Sequence, residues 1–298
     1  MLQYYFIVIS SAVFGSIFGS FSNVMIYRLP REGLSVLKPK YSFCPKCGKT
    51  INWYDNIPVF SYLFLLRCKC RNCKAGISPR YAFVEALSAF FFGFCAHKFA
   101  VTGNWGEFFV SAAFCQALIV CTFIDIDFRI IPDAIDIPGM IIAPILCFLV
   151  PSFVLPDFAE LVKKIGISYH TAQPFSVIDR FVAVGASGFG MAAGAGFTYL
   201  VGVIGKVVFR KDAMGFGDVK LMGMIGGIIG FKKALVGFFA GCVIGAVIGI
   251  TLMITAKRRD PQIPFGPFLA IGNVATMFYM PEILNFLLVT YPSWILGR

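Results

Sequence analysis

Charge is what this sequence has least of. Of its 298 residues only 14% are charged, fifteen are acidic, two are histidine and three are tryptophan. Soluble domains carry about 25% charged residues, so a chain this poor in charge and 58% hydrophobic cannot clothe a soluble surface. An ordinary soluble enzyme is thereby excluded, and so is intrinsic disorder, which needs low hydrophobicity. With His97 and His170 the only histidines, a Ser–His or Cys–His catalytic arrangement has little to draw on. No GxGxG-type glycine loop follows a strand-like run, which removes the common dinucleotide fingerprint.

Apolar residues and glycine are plentiful instead: 34 Phe and 30 Gly, with a mean hydropathy of +0.80. Stretches of about 20 apolar residues mark membrane helices. They occur at about 4–26, 82–101, 108–124, 135–151, 181–205, 214–231, 234–256 and 265–290. The expected fold is therefore an all-α polytopic integral membrane protein of about eight transmembrane helices. The first stretch does not read as a cleaved signal, because no basic segment precedes it and no small-residue cleavage site follows Ser20–Asn23. The glycine-rich runs 185–205 and 223–249 fit close helix packing through small residues.

The net charge of +11 is concentrated. Between Arg28 and Arg80 stand eleven Lys/Arg against Glu32 and Asp55. Such a block marks a cytoplasmic loop under the positive-inside rule, and this distribution disfavours a nucleic-acid partner. With that loop inside and eight passes, 19 of the 26 basic residues fall on the cytoplasmic side. Three segments follow: a first transmembrane helix over 1–27, a cytoplasmic cysteine-rich segment over 28–81 and a membrane domain over 82–298. The connection 151–180 is long and of mixed character.

Five of the ten cysteines lie between positions 44 and 73. Cys44-Pro-Lys-Cys47 and Cys70-Arg-Asn-Cys73 are two CxxC pairs at the spacing of a four-thiolate zinc site. A closed site of that kind is structural, and a small zinc knuckle is expected here. Cys68 breaks the CxxC spacing and is left out of the ligand set. The other cysteines fall in apolar stretches as small fillers.

The rare acids are the next signal, since ionisable groups in membrane segments are costly and mark functional candidates. Asp125, Asp127, Asp133 and Asp136 cluster around the end of the third stretch and the start of the fourth. Asp218 follows Gly215-Phe-Gly217 at the start of the sixth. On the predicted topology Asp125 and Asp218 share the cytoplasmic side. Two carboxylates brought together share a proton, which provides a base for water and an acid for a leaving amine. Gly215 and Gly217 would let a peptide backbone approach Asp218 closely. On spacing alone Asp127, Asp133 and Asp136 rival Asp125, and ion-coupled transport is the alternative use of the same acids.

Several segments together resemble the type IV prepilin peptidases, the bacterial prepilin leader peptidase/N-methyltransferases. They are Gly15–Pro30, Cys44–Cys47, Trp53–Pro58, Cys70–Cys73 and Ile77–Tyr81 with Glu85. To these are added Asp125 running into Ile131-Pro132-Asp133, the GxGD ending at Asp218, and Pro264–Leu269. The resemblance implies a GxGD-type aspartic peptidase of the bacterial inner membrane that acts at its cytoplasmic face. It would cut basic leaders from type IV prepilins and pseudopilins. It selects Asp125 over Asp127 and pairs it with Asp218. It also implies methylation of the new N-terminus with S-adenosylmethionine. The leader is itself basic, so Asp127, Asp133 and Asp136 are its expected docking residues.

Overall fold

The computed structural model describes residues 1–39, 41–65, 68–156, 158, 175–210, 214–256 and 263–291. Most of the 151–180 connection lies outside the described residues. So do Lys211, Lys257, Arg258 and Arg259, which entered the orientation count.

Every predicted apolar stretch is an α-helix. In chain order these are α1 (Leu2–Arg28), α2 (Arg80–Lys98), α3 (Trp105–Phe128), α4 (Asp133–Leu149), α5 (Val177–Phe209), α6 (Phe216–Ile229), α7 (Phe231–Ala256) and α8 (Gly266–Asn285). No strand occurs among the described residues, only two isolated bridges, Phe43 with Thr50 and Lys69 with Gly76. Five segments are long and apolar enough to cross a membrane: Leu2–Arg28, Pro79–Thr102, Trp105–Phe128, Val177–Val208 and Phe231–Thr255. Large apolar side chains such as Phe6, Val13, Ile17, Val243, Val247 and Ile254 are exposed along these helices. Such surfaces call for hydrocarbon rather than water as solvent.

α4 has 17 residues and α6 has 14. At 1.5 Å per residue α6 is about 21 Å long, short of a ~30 Å hydrocarbon core. α6 differs in kind from the long helices, because nearly every residue from Leu221 to Ile229 is buried. A helix apolar on all sides belongs inside a protein core.

The chain divides into two compact units, Met1–Pro132 and Asp133–Arg298. In the first, α1 packs on α2 and α3, and the cysteine segment joins α1 to α2. Arg28, at the end of α1, is buried. Its guanidinium donates to the carbonyls of Ser35, Val36, Pro39 and Tyr41 at 2.8–3.3 Å, so the loop leaving α1 is wrapped around one cation. In the second unit α6 packs on α4, α5 and α7, and α7 packs on α8. α5 starts with a capping box in which the Ser176 hydroxyl accepts from the Asp179 N–H and the Asp179 carboxylate accepts from the Ser176 N–H. Along α5 and α6 two backbones meet: a Cβ on Gly226 would overlap the Gly190 carbonyl, and one on Gly194 would overlap the Met222 carbonyl. Gly190 and Gly194 are one helical turn apart, the small-xxx-small spacing that lets helices approach closely.

Candidate active site and metal centre

The two CxxC pairs fold into the same turn twice. The Cys44 N–H donates to the Lys49 carbonyl (2.9 Å) and the Gly48 N–H to the Cys44 carbonyl (2.8 Å). In the second copy the Cys70 N–H donates to Ala75 (2.8 Å) and the Lys74 N–H to Cys70 (3.0 Å). Each turn needs a left-handed residue four positions after its first cysteine, and Gly48 (φ 70°) and Lys74 (φ 57°) occupy that position. The backbone in each turn aims both thiols to one point, and the ligand atoms of Cys44, Cys47, Cys70 and Cys73 lie within 4.8 Å of one another.

Cys44 Sγ and Cys73 Sγ are 3.9 Å apart. Tetrahedral thiolates about 2.3 Å from a zinc ion would stand ~3.8 Å apart, so the donor set and its spacing fit such an ion. Cys68 is exposed and stands outside the group. The Cys73 and Asn72 backbone N–H groups draw the Cys70 thiol down to about 7. The Ala75 N–H pulls Cys73 the same way, but desolvation and the thiols of Cys70, Cys47 and Cys44 outweigh it and push Cys73 up to about 11. Four thiols this close resist joint ionisation until a cation takes the place of their protons.

Asp55, in the short 3-10 turn Trp53–Asn56, accepts from Arg71 Nε (2.9 Å) and Nη2 (2.6 Å). Arg71 stands between the two cysteines of the second turn, so this bidentate pair staples the intervening segment to the cysteine cluster. Glu85 is buried one turn into α2, and its Oε2 accepts the Val59 N–H at 2.7 Å. These residues surround a cavity of about 350 Å³ walled by Phe43, Asp55, Tyr62, Arg71, Tyr81 and Glu85, with Cys44 and Cys70 behind. Sequence reasoning passed over it. Its signals were Asp55, one of two acids in a strongly basic loop, and Glu85, an acid inside an apolar stretch.

Asp125 is in the last turn of α3 and is 6% exposed, whereas Ile126–Ile130 that follow are exposed. Its carbonyl accepts the N–H of Arg129, which turns left-handed (φ 56°) and ends the helix. Asp125 is thus the last enclosed residue before the chain emerges. Asp127 pairs with Arg80.

In the second unit Asp218 is the third residue of α6 and is 9% exposed, with its N–H on the Gly215 carbonyl (3.1 Å). A carboxylate in the first turn is favoured by the positive end of the helix dipole. Gly215 is exposed, and a Cβ there would stand 3.4 Å from Asp218 Oδ2. The bare glycine leaves that side of the carboxylate open. Asp133 is half exposed and accepts from Lys220 Nζ at 2.7 Å. Asp136 has no exposed surface, and the charges of Asp133, Lys220 and Asp218 act on it. Of the three acids expected to dock a leader, Asp136 is enclosed, Asp133 is half exposed and Asp127 is exposed.

Residues 13–99 match the family model described as the bacterial peptidase A24 N-terminal domain, and 112–250 match that of the type IV leader peptidase family. A prepilin leader peptidase/N-methyltransferase of Myxococcus xanthus is 32% identical over 251 residues, 84% of this chain and 64% of that protein. The proteins of the same description from Aeromonas salmonicida and Pseudomonas aeruginosa are 27% and 28% identical, each over more than 90% of both chains. The aligned stretch thus spans less than two thirds of the Myxococcus protein and nearly all of the other two. No solved structure matches. With one model running from within α1 through the cysteine segment and α2, and the other from within α3 through most of α7, the chain belongs to the type IV leader peptidase family.

Proposed function

We propose that this chain cleaves the basic leader from type IV prepilins or pseudopilins at the cytoplasmic face of a bacterial inner membrane, and methylates the new N-terminus. The observation that carries the reading is the pair of enclosed aspartates at helix ends, Asp125 and Asp218, inside a chain matched over both halves to leader peptidases. Eight passes with the cysteine segment inside belong to this reading and rest on the eight apolar stretches and the basic residues of the sequence. The family match leaves the transporter reading without support.

In this reading Asp125 and Asp218 carry the peptide-bond chemistry. One ionised carboxylate takes a proton from water, whose oxygen attacks the scissile carbonyl. The other, protonated, gives its proton to the amine as the C–N bond breaks. The open Gly215 side of Asp218 receives the substrate backbone, with Gly217 beside it. Asp127 and Asp133 hold cations of the leader in exchange for Arg80 and Lys220. A structural Zn2+ on Cys44, Cys47, Cys70 and Cys73 holds the loop, and S-adenosylmethionine supplies the methyl group.

The test is cleavage of a prepilin by the purified chain in detergent with S-adenosylmethionine added, followed by mass spectrometry of the new N-terminus. Wild type is expected to remove the leader and add one methyl group. Asp125→Asn and Asp218→Asn are each expected to lower kcat at least ~10³-fold, the scale of losing a catalytic acid or base. Full turnover in either variant refutes its role. The double variant Asp127→Asn/Asp133→Asn is expected to raise KM with kcat held, and an unchanged KM removes leader docking from these two residues.

A further inference from the structure

Arg31 stands three residues beyond the end of α1, and neither the two aspartates nor the cysteine group uses it. Its guanidinium lies 3.9 Å from the centre of the Tyr27 ring, in the last turn of α1, and 5.1 Å from that of Phe128, the last residue of α3. Both are within the ~6 Å at which a cation is drawn to a ring face. The same guanidinium donates to the Tyr27 carbonyl, so the cation is fixed to α1 and reaches across to α3. A second cation arrives from α2, where Arg80, its first residue, pairs with Asp127. Tyr81 feels the charges of Arg80, Arg31 and Asp127 together, so the ends of three helices meet at this point.

What they gather around is the turn that carries Asp125. Asp125 and Phe128 are three positions apart, neighbours on one face of a helix. Arg129 ends the helix directly after them in a left-handed conformation, so no further turn holds this one in place. The last carbonyls of a helix lack intrahelical partners, and such ends fray. Misplacing a reacting group by about 1 Å costs ~10²-fold in rate. The Asp125 carboxylate thus sits in the part of α3 least able to hold it by backbone bonds alone.

We infer that Arg31 is a positioning residue for peptide-bond cleavage: held against the Tyr27 and Phe128 rings, it closes the last turn of α3 and keeps the Asp125 carboxylate in place. The inference rests on the reading of Asp125 as a catalytic residue. In that reading the leader's cations displace Arg80 from Asp127, which frees one of the two ties on the turn. The Arg31 stack involves no carboxylate, so it still binds α3 to α1 while the leader is bound. A planar guanidinium suits ring faces better than the compact ammonium of lysine. Composition counts Arg31 as one of eleven basic residues in the loop; the two rings single it out.

The experiment combines prepilin cleavage kinetics of the purified full-length chain in detergent with hydrogen–deuterium exchange read by mass spectrometry. Phe128→Leu removes the ring face and leaves Arg31 on Tyr27. It is expected to lower kcat at least ~5-fold, the scale of a partly enclosed cation–π contact, with KM and melting temperature held. Exchange is expected to quicken by a similar factor in the peptide 124–130 and to keep its wild-type rate through 105–120. Arg31→Met is expected to reproduce both changes, and the double variant to be no worse than the weaker single one, since the two side chains form one contact. Phe128→Tyr keeps the ring and is expected to restore what Phe128→Leu loses. Wild-type kcat in Phe128→Leu and Arg31→Met, or losses that multiply in the double variant, overturns the inference. Faster exchange along the whole of α3 with a lower melting temperature also overturns it, as a general loss of structure. Should Arg31→Met fail to fold, Phe128→Leu against Phe128→Tyr decides alone. Asp125→Asn keeps the two readings apart. No cleavage in it beside full turnover in Phe128→Leu ends the positioning role alone, whereas full turnover in Asp125→Asn refutes the catalytic reading and the inference with it.

Discussion

Lys74 shows how one residue can be in the wrong chemistry for its backbone. The two cysteine turns repeat one hydrogen-bond pattern, and the first uses Gly48 where the second uses Lys74 at φ 57°. A side chain in the left-handed region clashes with its own backbone, a cost glycine avoids. Lys74→Gly is therefore expected to stabilise the metal-loaded cluster by about 0.5–1 kcal/mol, read as a two- to fivefold gain in zinc retention against a competing chelator. A loss of retention would show that the Lys74 side chain contributes more than its backbone costs. The same repeat was half legible in the sequence, because CxxC spacing is written in the chain. The left-handed fourth position was not, since only one of the two copies carries the glycine that announces it.

At the level of helices, α5 and α6 show which glycines matter. α5 contains Gly185, Gly188, Gly190, Gly194 and Gly196, and composition treats them alike. Space around a would-be Cβ separates them: Gly190 and Gly194 lie against the α6 backbone, whereas Gly185, Gly188 and Gly196 face open room. Gly226→Ala would drive a methyl into the Gly190 carbonyl and is expected to cost about 1–3 kcal/mol by overpacking. Because α6 also carries Asp218 two turns away, cleavage is expected to fall with it. Gly196→Ala is expected to leave melting temperature and cleavage unchanged in the same assays, and equal effects of the two substitutions would refute the close approach. The sequence marked both segments as glycine-rich. It could not say that α6 is enclosed on all sides, because burial depends on α4, α5 and α7 arriving around it.

For the molecule as a whole, an ion held by the four-cysteine group would link folding to pH. Uptake of an ion needs thiolates, so protons and metal compete. With Cys73 pushed up to about 11, binding at pH 8 is expected to release at least its proton. With Cys70 drawn down to about 7, its proton adds to the release as pH falls below 7, and affinity declines toward acid. Titration calorimetry of zinc in buffers of different ionisation enthalpy measures that release directly. An uptake at pH 8 that releases no proton contradicts the thiol ionisation described above.

What the sequence determined alone was the content of local runs. Twenty-residue apolar stretches became helices because a chain in lipid must satisfy its backbone within itself. The CxxC pairs became turns because four residues suffice to close them. Asp125, Asp127, Asp133, Asp136 and Asp218 could be singled out because an acid in an apolar context is costly wherever it falls. Tertiary structure decided what depends on residues far apart in the chain. It joined Asp55 to Arg71, set Asn23 of α1 on the Tyr81 carbonyl and opened the cavity beside Glu85. It enclosed Asp136 while leaving Asp133 half exposed. Packing is the physical reason: spacing along a chain records which side chains repeat on one face, but only the approach of a second element determines whether that face meets a partner, lipid or a ligand.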